Sequence, residues 1–476
     1  VRESAVFQRI PRFRFSTLLA GTAMGVYLLV VLGATAALAD AANACSSWPL
    51  CHQTPTLSTP TLLVAWVHRM VTVVVGLLAV GTVVAALRRD GIATRVKATL
   101  AATLALYPVQ IAIGAYVALT GASAPLPMAH LVTGMGIFAG LTLALAWHLE
   151  PERAPRSATT TAELTHDDEP VAADESGASE QLAGVGPLTR AKYIANAYFR
   201  LMKPRLMWLL CLVASAGMAL AAGPALTVRT VVLTLGGGVL AIGASGTFNH
   251  VLEREKDKRM DRTSDRPIAT HQIPVRNAVT FGLALAVASV GVFLQINPLA
   301  AALGLAAILF YSVIYTLVLK PNTVQNTVIG GAAGALPALI GSAAVTGRIG
   351  LPGLALAGLI FVWTPAHFYN LALAYKDDYE KGGFPMMPVV RGEATTRKHI
   401  LLWLSATLLS ATVLASLTDL GWLFATATTT LGAVFLWTVI KLHWEQTESA
   451  AFRAFHASNA YLGAVLLAVV VDALAI

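Results

Sequence analysis

Asn249-His250-Val251-Leu252-Glu253-Arg254-Glu255-Lys256-Asp257 closes an apolar run at 228–248 and leads into Met260-Asp261-Arg262-Thr263-Ser264-Asp265-Arg266-Pro267. Asn249, Glu253 and Asp257 are spaced four apart, which puts three oxygen-bearing side chains on one face of a helix. More than a hundred residues later, again just past an apolar run, comes Lys376-Asp377-Asp378-Tyr379. Carboxylates hold magnesium chiefly together with substrate phosphates, and guanidinium forks match phosphate oxygens. The pattern points to an isoprenoid diphosphate handled inside a membrane.

The composition supports that setting. With 56% hydrophobic and 12% charged residues and a mean hydropathy of +0.68, the chain is not an ordinary soluble domain. Runs long enough to cross hydrocarbon fall near 17–39, 61–87, 98–120, 127–148, 205–222, 228–248, 276–295, 299–319, 325–346, 350–374, 399–418, 421–442 and 458–476. These thirteen runs predict an all-α polytopic membrane protein. The net charge of +8 does not imply a nucleic-acid partner, because Lys and Arg concentrate in alternate loops, as the positive-inside rule requires. Arg2, Arg9, Arg12 and Arg14 precede the first run; Arg88, Arg89, Arg95 and Lys97 follow the second; Arg254, Lys256, Lys258 and Arg259 follow the sixth. This predicts a multi-pass protein of the cell membrane with its N-terminal end and both acidic clusters on the cytoplasmic side.

Between the fourth and fifth runs, residues 151–186 turn polar and acidic, with Glu163, Asp167, Asp168, Glu169, Asp174, Glu175 and Glu180 among Ala, Ser, Thr and Pro. That composition reads as a disordered linker. It divides the chain into a four-span domain, 1–150, and a nine-span domain, 187–476. Cys45 and Cys51 lie in the first loop expected outside and could pair there, whereas Cys211 is within a span.

The Asn249/Glu253/Asp257 face alone would also suit a solvated helix end. Asp377-Asp378 shifts the balance, since charge at hydrocarbon depth costs roughly 2.5–3.5 kcal/mol per residue on insertion scales, and two such clusters on one side suggest a cation site. The first motif, with Arg262-Thr263 and Arg266-Pro267, resembles the UbiA superfamily of intramembrane prenyltransferases, whose number of spans is also nine. Three further stretches resemble its heme O synthase (protoheme IX farnesyltransferase) branch. They are Tyr315-Thr316 with Lys320 and Gln325-Asn326-Thr327-Val328-Ile329-Gly330-Gly331; Trp363-Thr364-Pro365-Ala366-His367-Phe368; and Lys376-Asp377-Asp378-Tyr379 through Pro385-Met386-Met387-Pro388. His250 replaces the Asp found second in many superfamily motifs, and Glu253 stands where Asp is commoner.

The resemblance implies the chemistry. Magnesium would be held by Asn249, Glu253, Asp257, Asp377 and Asp378, with Arg262, Arg266, Lys320 and Lys376 stabilising the departing pyrophosphate. Farnesyl diphosphate would ionise to an allylic cation, the 2-vinyl group of heme B would attack it, and water would capture the resulting cation, giving heme O. His367, among Trp363, Phe368 and Tyr369, is either a contact to the substrate heme or a hydrogen-bonded structural histidine. Gly330-Gly331 and Gly334 lack the Lys-Ser/Thr that completes a phosphate loop and suit close helix packing instead.

In the first domain, His68 and His130 occupy the second and fourth spans, where two histidines on facing helices could clamp a heme. With Cys45-Ser46-Ser47-Trp48-Pro49-Leu50-Cys51-His52, they resemble the first half of heme A synthase across about 15–148. That family usually has Glu three residues before the first histidine, and Ala65 stands there. The domain is thus expected to bind heme, dock heme A synthase or pair with another copy of itself, and not to make heme A. The competing readings of the whole chain are a UbiA-type transferase acting on a quinone or lipid, which His367-Phe368 and Gln325–Gly331 argue against, and a non-catalytic heme carrier or transporter, which would need no diphosphate site.

Overall fold

The computed structural model describes residues 14–38, 44, 45, 47–49, 51–56, 58–121, 125–151 and 186–475. The acidic stretch expected to be a linker lies, from 152 to 185, outside the described residues. The chain divides into two compact units, Val1–Pro151 and Glu152–Ile476. All described regular structure is helical, and among the described residues thirteen helices are long and apolar enough to cross a membrane. Each coincides with one of the thirteen apolar runs.

The first unit contains α1 (Phe15–Leu38), α2 (Pro60–Leu87), α3 (Thr94–Thr120) and α4 (Leu126–Leu149). α1 packs on α2 and α4, and α3 on α2 and α4. A hydrogen bond of 2.7 Å between Thr22 and Thr82 joins α1 to α2. α3 ends at Gly121 with φ 58°, a left-handed conformation that suits glycine.

The second unit opens with a short amphipathic helix, α5 (Pro187–Leu201), whose Ala197 and Leu201 pack on Val251, Ile268 and Ile273. The spans follow as α6 (Pro204–Ala222), α7 (Val228–Leu252), α9 (Val275–Leu294), α10 (Pro298–Leu309), α11 (Asn326–Thr346), α12 (Leu351–Ala374), α15 (Glu393–Ser416), α16 (Trp422–Glu445) and α17 (Glu448–Ala475). Three short helices, α8 (Arg254–Arg259), α13 (Lys376–Lys381) and α14 (Met387–Arg391), lie just past the ends of α7 and α12. α10 runs on as a π-helical stretch, Phe310–Leu319. α6 packs against α7, α11, α12 and α17. Its contact with α11 depends on missing side chains: a Cβ on Gly341 would lie 2.2 Å from the Ala214 carbonyl oxygen, and one on Gly217 would lie 2.4 Å from that of Ala338. Small residues allow this backbone approach where no hydrophobic driving force separates lipid from protein.

Candidate active site

The last turn of α7 and the short α8 carry the first acidic set into protein rather than solvent. Asn249, Glu253 and Asp257 are 2%, 4% and 1% exposed, which removes the solvated-helix-end reading. Each is held by a distant group. Lys320 Nζ lies 2.6 Å from Glu253 Oε1; Arg266 Nη1 donates to both Asp257 oxygens at 2.8 Å; Lys203 Nζ donates to Asn249 Oδ1. Asn249 Nδ2 in turn donates to Thr316 Oγ1 at 3.1 Å. Thr316 owes its position to the π-helical stretch, in which its hydroxyl bonds the carbonyl five residues back, on Tyr311, at 2.8 Å. Such wide turns recur at functional sites.

The second set joins the first through the loop after α8. Asp378 Oδ1 accepts from the Asp261 amide at 2.6 Å, and its Oδ2 lies 3.9 Å from Arg262 Nε. Arg262 stacks over Tyr375 and Tyr379. Arg262 and Arg266, four residues apart, therefore bind one carboxylate from each cluster. Met260 of the same loop is buried with Tyr379, Phe384 and Met386, which fixes the loop from below. Asp378 is 8% exposed, whereas Asp377 is exposed. Lys376, expected at the pyrophosphate, instead donates to Glu393 Oε1 at 3.1 Å.

The electrostatics follow from burial among these cations. Burial works to raise the Glu253 carboxyl, but Lys320, Lys203 and Arg266 outweigh it and hold Glu253 below the ordinary carboxylate range. Burial wins at Asp257, which is raised despite Arg266. Lys203, at the start of α6 with φ 55°, is pushed down to about 7, first by burial and then by Arg266. Sequence reasoning missed Lys203, because a Lys-Pro before a span reads as an ordinary interfacial anchor.

Among the described residues no three His, Cys, Asp or Glu side chains converge as a metal cage. Magnesium is normally bound by one or two carboxylates plus substrate phosphates and its own waters rather than by an all-protein cage. The donors here, carboxylates and an amide oxygen, are of the hard type that ion prefers.

His367 is stacked between Trp363 and Phe455, with ring centroids 4.3 and 4.4 Å away, and its Nδ1 is 2.7 Å from Ser458 Oγ. Both faces and one nitrogen are thus occupied, leaving Nε2 as the atom through which it could meet a ligand. Gly330 and Gly331 serve close packing, with added Cβ atoms lying 2.7 Å from the Tyr315 ring and 3.0 Å from the Phe361 carbonyl oxygen.

In the first unit, Nδ1 of both His68 and His130 is buried without a hydrogen-bond partner. Gln110 Nε2 lies 3.2 Å from His130 Nε2. Cys45 and Cys51 are disulfide-bonded. Arg69, adjacent to His68, reaches this loop, with Nη1 2.7 Å from the Ser47 carbonyl oxygen and 3.0 Å from Cys45 Sγ. Ala65 is buried with Leu62 and Cys45.

Two family models match the chain: the UbiA prenyltransferase family over residues 209–463 and the cytochrome oxidase assembly protein family over 56–166. The chain is similar to a protoheme IX farnesyltransferase of Haloarcula marismortui, 66% identical over 97% of this chain and 99% of that one. It is also similar to protoheme IX farnesyltransferase 1 of Saccharopolyspora erythraea, 40% identical over 61% of this chain and 94% of the relative. Among solved structures, a digeranylgeranylglyceryl phosphate synthase shares the fold with a TM-score of 0.51 at 16% identity, over 60% of this chain and 99% of that one.

Proposed function

The chain belongs to the UbiA prenyltransferase family, and we propose that the buried floor formed by Asn249, Glu253, Asp257 and Asp378 is where its prenyl diphosphate is bound and ionised. Its activity is that of a protoheme IX farnesyltransferase, making heme O from heme B. The observation that carries the site assignment is the pairing of Arg262 with Asp378 and Arg266 with Asp257, which gathers two distant acidic clusters and two phosphate-matching cations on one side of the second unit. Asn249, Glu253, Asp257, Asp377 and Asp378 are the residues from which one or two carboxylates would hold magnesium together with the diphosphate, whose charge the ion neutralises when bound. Arg262, Arg266, Lys320 and Lys203 then face the leaving group as its negative charge develops. The C1–O bond of farnesyl diphosphate breaks, the heme 2-vinyl carbon bonds to C1, and water adds to the cation so formed with loss of a proton. No protein nucleophile is needed. His367 Nε2 is the candidate heme contact.

The protein is a multi-pass membrane protein, and the basic residues flanking α2 and α7 support a cytoplasmic site. We assign the first unit to heme binding through His68 and His130, with docking of heme A synthase or of a second copy as its further use. Incubating the protein with heme B, farnesyl diphosphate and magnesium, with mass identification of the pigment, tests the activity; a pigment other than heme O would overturn it. Omitting magnesium should abolish turnover.

A further inference from the structure

A cavity of about 700 Å³ lies beside the acidic floor, within the roughly 300–1,000 Å³ range of cofactor-sized sites. One wall carries Arg262, Asp377 and Asp378, the last of these shared with the acidic floor; the opposite chemistry comes from Lys376, Arg397 and the apolar surfaces of Tyr375 and Phe452. Lys376 and Arg397 both reach the same acid, Glu393. Lys376 Nζ is 3.1 Å from Glu393 Oε1 and Arg397 Nη1 is 3.7 Å from Oε2. The other ion pairs here are separate: Asp261 is taken by Lys381 and Asp378 by Arg262. Glu393 thus shows what two cations in this wall can do, which is to hold a carboxylate between them.

Resting on the activity above, we infer that Lys376 and Arg397 bind a propionate carboxylate of the porphyrin acceptor, with the macrocycle against Tyr375 and Phe452. An amphipathic flat dianion needs cations at one edge and apolar contact along its body, and this cavity offers both beside the diphosphate floor. Arg397 is 5% exposed, so its charge acts where water screens it least. The same two helices that bring Tyr375 and Phe452 to the cavity, α12 and α17, bring together the His367 and Phe455 rings further along. Eight residues separate Tyr375 from His367, about 12 Å along a helix, which is the scale of a porphyrin. Glu393 competes for the same cations, and its removal takes that competition away.

The test uses the full-length protein with magnesium and farnesyl diphosphate, comparing heme B with its dimethyl ester, in which both propionates are neutral. In the wild type the ester should have a KM for the porphyrin about tenfold higher, the scale of one charge-assisted hydrogen bond. Arg397→Gln and Lys376→Met should raise the KM for heme B by about the same factor, leave the KM for farnesyl diphosphate unchanged and bring the ester-to-acid ratio toward one. Glu393→Gln should lower the KM for heme B, a direction that loss of a merely structural contact would not produce. Lys376 is part-exposed, so its variant reads out even where Arg397→Gln fails to fold. Unchanged discrimination against the ester in a folded Lys376→Met protein, or none in the wild type, would overturn the inference while leaving the activity intact. Absence of heme O from the wild-type reaction would overturn the activity, and this inference with it.

Discussion

Lys203 Nζ donates a hydrogen bond to the side-chain oxygen of Asn249, 46 residues further along the chain, and lies 3.3 Å from the Tyr311 hydroxyl. An ammonium so placed sits at the head of the acidic floor, half-buried beside Glu253, Asp257, Lys320 and Arg266. With its pKa pushed down to about 7, it is charged below that pH and neutral above, whereas the unfolded chain keeps the proton to roughly pH 10. Between those limits the unfolded state binds more protons, so this group alone makes the fold more stable as pH rises.

A diphosphate brings negative charge to Lys203 and should restore its proton. Binding of farnesyl diphosphate at pH 8 should therefore take up a proton that binding at pH 6 does not. Calorimetry in buffers of different ionisation enthalpy measures this directly, and Lys203→Met should remove the difference. Equal proton uptake in the variant would show that another group carries it.

Asp257→Asn and Asp378→Asn each keep the side chain's shape and remove its charge. Heme O formation should fall by roughly a hundredfold or more, the scale of losing a preorganised electrostatic partner, while membrane insertion persists because apolar packing is untouched. Near-normal yield from either well-folded variant at saturating farnesyl diphosphate would sink the cation-binding role.

The architecture was legible because thirteen apolar runs have few alternatives in a bilayer, where every backbone group must be satisfied within a helix. The acidic clusters were legible for a similar reason, since charge beside hydrocarbon demands a function. What could not be read was who holds whom. The Lys320–Glu253 and Asp378–Asp261 contacts span 67 and 117 residues, and no local spacing encodes them. Lys376 belongs to Glu393 rather than to the carboxylate floor because α13 and the start of α15 meet, which sequence periodicity does not show. Thr316 reaches Asn249 only through a π-helical register that a 3.6-residue period misplaces.

The α6–α11 contact gives a stability test. Gly341→Ala would put a Cβ 2.2 Å from a backbone oxygen, whereas a Cβ on Gly236 meets nothing within 4 Å. Overpacking of this kind costs about 1–3 kcal/mol. Gly341→Ala should lower the thermal unfolding midpoint in detergent clearly, and Gly236→Ala should not. Equal midpoints would mean that the two helices separate without cost.

For the first unit, the buried and unpartnered Nδ1 atoms of His68 and His130 lead us to expect a low-spin, six-coordinate heme in the full-length protein. His68→Ala or His130→Ala should each abolish that spectrum. Because Gln110 bonds His130 Nε2, ligation through that atom requires the bond to break, and Gln110→Ala should then leave the low-spin spectrum in place or strengthen it. A spectrum unchanged in both histidine variants would make the pair structural.

The second unit carries every residue assigned to prenyl transfer, from Lys203 to Phe452. The Saccharopolyspora erythraea relative is accounted for over 94% of its length by a match to 61% of this chain, so a protein bearing the protoheme IX farnesyltransferase name manages with about that much. Residues 187–476, expressed alone in a host lacking heme O, should therefore restore it. Residues 1–150 should not, and should make no heme A, since Ala65, packed against Leu62 and Cys45, stands where the resemblance to heme A synthase implies a carboxylate. Should the 187–476 fragment insert and fold yet make heme O only when the 1–150 fragment is supplied, the first unit contributes to the active site and the two units do not divide the work as proposed.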